Sequence, residues 1–98
     1  MFVQTLLLNL PPETEANFDA AFHTYYLSEL QQCAGFAFST LVDEGENHFK
    51  LLIYWENRGQ CQCARCNGQL VAATLQLAAA VPGLAIKTVP NARAAVVI

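Results

Sequence analysis

Residues 48–55 alternate in character with a period of two. Phe49, Leu51, Ile53 and Trp55 fall on one side, and His48, Lys50, Leu52 and Tyr54 on the other. Such a run is a β-strand with one face committed to a core. Its second face carries a lysine and a histidine beside a leucine and a tyrosine, so it is neither plainly wet nor plainly dry. A chain built around this strand needs a covering layer on one side of its sheet and an account of the other side.

The flanking sequence supplies the rest of the layer. The polar run Asp43-Glu44-Gly45-Glu46-Asn47 precedes the strand and predicts a hairpin. Its partner is residues 36–42, where Phe36, Phe38, Thr40 and Val42 alternate with Ala37, Ser39 and Leu41. Residues 2–10 predict a first strand, interrupted by the polar Gln4, Thr5 and Asn9. Pro11-Pro12 ends it and opens a helix whose first turn carries Glu13 and Glu15. Phe18, Phe22, Tyr25 or Tyr26, Leu30 and Cys33 line one face of that helix, and Gly35 stops it. Residues 57–81 predict a second helix, broken at Asn67-Gly68 and ended by Pro82-Gly83. A strand over residues 84–89, a turn at Pro90-Asn91 and a short terminal strand over residues 93–98 complete the chain. The order β-α-β-β-α-β, with an extra C-terminal strand, predicts an α+β, ferredoxin-like antiparallel sheet with both helices on one face.

Length and composition constrain the uncovered side. Ninety-eight residues make one domain, residues 1–98. Apolar residues are 54% of the chain and charged residues only 13%, where about 25% charged is usual. A domain this small hides only about 60–65% of its unfolded surface, so a subunit interface is expected. Two sheets facing each other would cover Leu52 and Tyr54, giving a homodimer, a dimeric α/β barrel, with an enclosed space between the sheets. The charges of five Lys and Arg and eight Asp and Glu sum to 5 − 8 = −3 and are spread along the chain, which excludes a nucleic-acid partner. The apolar stretches at residues 2–10 and 70–81 are too short or too polar to span a membrane. No basic region precedes residues 2–10, and three of the four cysteines crowd into residues 61–66. A cytoplasmic protein with reduced thiols is expected.

At this level the chain resembles the antibiotic biosynthesis monooxygenase family, the dimeric α/β-barrel group. Gly35-Phe36 is similar to that family's "PGF" opening of strand two, with Ala34 in place of the proline. Tyr54-Trp55-Glu56-Asn57 is similar to its "W-E-S", and Asn67-Gly68 stands where it has a Ser-Pro break. The histidines that the family carries in helix two are replaced by the Cys63-Ala64 stretch and by Gln69. The tryptophan and histidine helix pair of its haem-degrading members has no counterpart, although Asn9 corresponds to their asparagine.

The resemblance implies a small cofactor-independent monooxygenase acting on a phenolic or polycyclic aromatic substrate. The alternative is a non-catalytic small-molecule-binding protein of the same fold. In such oxygenation the substrate supplies the electrons, and the protein supplies an apolar pocket, hydrogen-bond donors for a phenolate and a base. His48, Lys50 and Tyr54 share one strand face and are the expected catalytic set: His48 a base near neutral pH, Lys50 a partner for an anion. Asn9, Thr5, Ser39, Tyr25 and Trp55 are the expected substrate-binding residues, and Tyr26 and His23 also lie on the first helix. Cys61-x-Cys63-x-x-Cys66 has the look of a thiolate ligand run, with Arg58 and Arg65 as nearby cations. On a helix, however, Cys61 and Cys63 point about 200° apart. No metal and no cofactor are expected.

Overall fold

The computed structural model describes residues 1–65 and 67–89. Four strands form one sheet in the spatial order β2-β3-β1-β4: β1 Phe2–Asn9, β2 Phe36–Gly45, β3 His48–Trp55 and β4 Ala85–Thr88. Every described pairing is antiparallel. Helix α1 runs over residues 15–30, α2 over Arg58–Arg65 and α3 over Gly68–Ala80. The helices cover one face of the sheet, as the alternation in β3 requires. Phe49, Leu51, Ile53 and Trp55 are all buried, together with Phe2, Leu6 and Leu8 of β1. The fold is the α+β, ferredoxin-like arrangement expected from the order of elements. The expected turn at Pro90-Asn91, the terminal strand over residues 93–98 and Cys66 lie outside the described residues.

Two irregularities matter for function, and the first is a bulge in β2. Phe36 pairs with Trp55, but Phe38 pairs with Tyr54, so Ala37 is an extra residue. Paired residues share a face, and one inserted residue moves everything beyond it to the opposite side. Phe36 therefore turns into the core, where it meets Trp55 edge to face at 6.0 Å. Phe38, Thr40 and Val42 face away from the helices. Ser39, opposite Ile53, faces the helix layer and not the face of His48, Lys50 and Tyr54.

The second irregularity is in α1, where Phe22–Leu27 is π-helical between α-helical flanks. The large buried side chains are Phe18, Phe22, Tyr26 and Leu30, one every four residues, with the small Ala21 buried beside them. On a regular α-helix each four-residue step overshoots by about 40°. The wider π turns absorb that drift and keep all four on one face. This resolves the Tyr25-or-Tyr26 ambiguity: Tyr26 is buried, and Tyr25 is exposed.

The long second helix divides at the expected break. Asn67 caps α3, its Oδ1 accepting from the backbone N–H of Gln69 at 2.9 Å and of Leu70 at 3.3 Å. Asn57 caps α2 in the same way through the N–H of Gln60 at 2.9 Å. The β2–β3 hairpin closes through Glu46 and Asn47, both at positive φ (54° and 64°), as a two-residue type I′ turn demands. Among the described residues no helix is long and apolar enough to cross a membrane.

Gly35 and Gly45 both sit at positive φ, 81° and 83°. A Cβ on Gly45 meets nothing within 4 Å, while one on Gly35 collides with Cβ and Cγ of Gln60. Gly45→Ala should therefore cost only the backbone term, about 1–2 kcal/mol. Gly35→Ala should cost visibly more, because α2 must also shift. Urea midpoints of the two variants check this order, and equal losses would refute it.

Candidate functional site

A concave space lies between the sheet and the helices. A cavity of about 180 Å³ is lined by Gln4, Leu6 and Leu8 of β1, Leu51 of β3, and Ile86 and Thr88 of β4. Phe22 and Tyr26 come from the π-helical turn, Ala64 from α2, and Leu70, Val71, Thr74 and Leu77 from α3. The period of two sends alternate β1 residues into it, and the caps at Asn57 and Asn67 fix how α2 and α3 approach. Val71 is exposed and marks the rim.

Almost all of this lining is apolar, and its few polar groups are placed differently from one another. The Thr74 hydroxyl donates to the Leu70 carbonyl at 3.0 Å and is spoken for. Gln4 has its Oε1 engaged twice: the indole Nε1–H of fully buried Trp55 donates to it at 3.1 Å, and the Cys61 thiol at 3.6 Å. An indole N–H is only ever a donor, so it fixes which end of the amide is oxygen. The Gln4 NH2 and the Tyr26 hydroxyl make no hydrogen bond to a described residue. Among the described residues no buried polar side-chain atom is left without a partner, so both groups reach open space.

Burial pushes the Tyr26 hydroxyl up from its ordinary 10 to about 12, with Cys33 and Cys61 adding to the effect. Tyr26 is thus a neutral donor across the physiological range. Burial, followed by the Glu29 carboxylate, likewise pushes the Cys33 thiol up. Cys61 is buried and Cys63 exposed, so α2 separates the two thiols as its geometry dictates. No cluster of metal-ligating side chains occurs among the described residues.

The residues expected to carry chemistry lie elsewhere. His48, Lys50 and Tyr54 do share the sheet face away from the helices, with Asn9 opposite His48 and Thr5 opposite Leu52. None of them lines the cavity. Lys50 forms an ion pair with Glu44 at 3.5 Å, and Tyr54 stacks on Phe38 with centroids 4.2 Å apart. Three of the expected substrate-binding residues also lie off this cavity. Ser39 is turned to the helix side by the Ala37 bulge, and Tyr25 is turned outward by the π segment. Trp55 is a fully buried core residue that reaches the cavity only through Gln4. His23 is exposed, its Nδ1 2.8 Å from the Asp19 carbonyl. In the sequence Gln4 stands out only as a polar interruption of a strand. Its even register with Phe2, Leu6 and Leu8 was the available signal, because a core-facing amide must find partners.

No family model matches the sequence, and neither does any curated protein. Solved structures do match in shape. One is a protein from Deinococcus radiodurans proposed to be an antibiotic biosynthesis monooxygenase: 18% identity, 100% of this chain and 99% of that chain, TM-score 0.67. A protein from Nitrosomonas europaea, proposed to be the same kind of enzyme, has 10% identity, 93% and 98% coverage and a TM-score of 0.66. SnoaB, a cofactor-independent oxygenase from Streptomyces nogalater, has 15% identity, 93% and 96% coverage and a TM-score of 0.61. At these identities the likeness is one of fold.

The buried phenol gives a testable pH dependence. Tyr26 ionises near 12 in the folded chain and near 10 in the unfolded one. Its contribution is therefore complete below pH 10 and disappears as pH rises through 12. About 2–3 kcal/mol of stability should be lost over that window. Tyr26→Phe should flatten the loss, read from urea unfolding at pH 9 and pH 11.5; an unchanged slope would count against the burial argument.

Proposed function

We propose that this protein is a small cofactor-independent monooxygenase whose reaction space is the cavity between sheet and helices, and whose substrate is a phenol or a related enol. The observation that carries the reading is the cavity itself: an apolar chamber with two donors, the Gln4 NH2 and the Tyr26 hydroxyl, that make no hydrogen bond to a described residue, in a fold shared with a cofactor-independent oxygenase. Its size favours a single ring. A dry apolar cavity of about 150 Å³ holds benzene, and this one measures about 180 Å³. A polycyclic substrate would extend outward past Val71.

The chemistry needs no resident redox group. A phenol with a hydrogen para to its hydroxyl takes up one oxygen molecule. One oxygen atom becomes a quinone carbonyl at that carbon, and the other leaves as water with two of the substrate's hydrogens. All four electrons come from the substrate. The protein's part is to exclude water around the ring and to hold the phenolate oxygen with donors that do not themselves ionise. No described lining residue is a base near neutral pH: Tyr26 keeps its proton, and His48 lies across the sheet. The substrate's proton therefore goes to solvent, and the rate should follow the substrate's own ionisation.

The open sheet face belongs to the same proposal as the surface where a second copy packs. Val3, Leu7, Leu52, Phe38, Val42 and Tyr54 make it apolar, and Phe38 is 47% exposed. Its central charge, Lys50, is already paired with Glu44, so two copies meet without bringing unpaired lysines together. His48, Lys50 and Tyr54 then act in assembly, and the cavity stays open on the far side.

Oxygen uptake with a panel of quinols and monocyclic phenols tests the reaction. Uptake should require the protein and rise with pH through each substrate's own pKa. Val71→Trp should raise KM for the larger substrates while kcat changes little. No uptake with any member would leave the non-catalytic binding protein as the surviving reading. For the assembly, sedimentation at micromolar concentration should give a dimer, and Phe38→Lys a folded monomer. A monomeric parent chain would remove the proposed interface.

A further inference from the structure

The Trp55–Gln4 hydrogen bond settles more than the packing of two side chains. A glutamine amide is nearly symmetric in shape, and either end fits a site of this size. Here the Oε1 end is held by two donors, the Trp55 indole at 3.1 Å and the Cys61 thiol at 3.6 Å. The indole, a donor only, would not be satisfied by the NH2 end of a flipped amide. The cavity is thus offered two N–H donors. Tyr26, from the π-helical turn that lines the same cavity, offers an O–H. The remaining lining is apolar apart from Thr74, which is internally bonded, and Thr88. Such a chamber welcomes an oxygen with lone pairs and penalises a ligand N–H, which would find few acceptors there.

We propose that Gln4 and Tyr26 form a donor pair selecting ligands that present an anionic oxygen, acidic phenols and enols, with Trp55 as the positioning residue that fixes the orientation of the Gln4 amide. The inference deepens the oxygenase reading by naming the ionised form of the substrate as the species the cavity binds. Hydrogen bonds to a charged oxygen are about twice as strong as neutral ones. Preference for the anion therefore needs no cation in the wall.

The test uses two single-ring probes of nearly the same shape, 4-nitrophenol and 4-nitroaniline, under argon. The parent chain should bind 4-nitrophenolate at least tenfold more tightly than 4-nitroaniline. The phenolate absorption band should also appear at lower pH for the bound probe than for the free one. Gln4→Glu keeps an acceptor for Trp55 but replaces the NH2 with an oxygen, so the order of the two probes should reverse. Trp55→Phe should bring the two affinities together by freeing the amide to flip. Should that variant fail to fold, Gln4→Glu and Gln4→Leu carry the same test, the latter losing about tenfold in phenolate affinity. Equal binding of the two probes by the parent chain, or an unchanged order in Gln4→Glu, would overturn the donor pair. Discrimination without oxygen uptake would sink the oxygenase reading alone; uptake without discrimination would sink only this inference.

Discussion

A buried indole N–H has to find an acceptor, and in this fold the requirement falls on Gln4. Trp55 ends β3 with no exposed surface, next to a strand whose core-facing residues are otherwise Phe2, Leu6 and Leu8. Leaving its nitrogen unpaired would cost about 1–3 kcal/mol, a large share of the stability of a 98-residue domain. An amide in the middle of an apolar strand face would be a liability by itself. With Trp55 on one side and Cys61 on the other it becomes a satisfied acceptor with a donor to spare. A solution forced by the core thereby sets the polarity of the cavity wall.

The π-helical turn plays the matching part on the opposite wall. Four large side chains spaced four apart, Phe18, Phe22, Tyr26 and Leu30, would spiral off the core on a regular helix, and the wider turns hold them in line. Phe18 and Phe22 stack at 5.6 Å, and Phe22 and Tyr26 at 5.7 Å, so the row is stiff along its length. Rigidity here matters because a donor selects between oxygen and nitrogen only if it cannot move away from the wrong one. The phenol of Tyr26 is positioned by its stack on Phe22 and by burial rather than by a hydrogen bond to a described residue.

What the sequence made legible was whatever depends on local period and punctuation. The alternation of His48 through Trp55 located the core face of the sheet, Asn67-Gly68 located the helix break, and the order of elements led to the fold. What escaped it depends on single-residue insertions. The extra Ala37 reverses β2 and carries Ser39 to the helix side, and nothing in residues 36–42 marks where the bulge falls. The π segment chooses Tyr26 over Tyr25, although the spacing alone allowed both. Gln4 escaped for a different reason: it was weighed for its polarity and not for its register. The candidate site was sought on the face with more polar side chains, His48, Lys50 and Tyr54. A ligand cavity is instead mostly apolar with a few aimed groups, and that description fits the helix side.

On the proposed reading the two faces of one sheet would divide two tasks between them, ligand binding and assembly. Along β1, residues of even number point to the helix side, Gln4, Leu6 and Leu8 lining the cavity, and those of odd number, Val3, Thr5, Leu7 and Asn9, point to the open face. Each strand thus serves both, and a side chain can be altered on one face without entering the other. Their separation is not complete, because the backbone is shared. Anything that flattens or twists β1 at the open face also moves Gln4 against Trp55. A bond of 3.1 Å between side chains 51 residues apart in the chain has little slack for such movement. A second copy packed on the open face, as proposed above, would hold β1 to a single twist and would thereby join the order of the donor wall to the state of assembly through that strand.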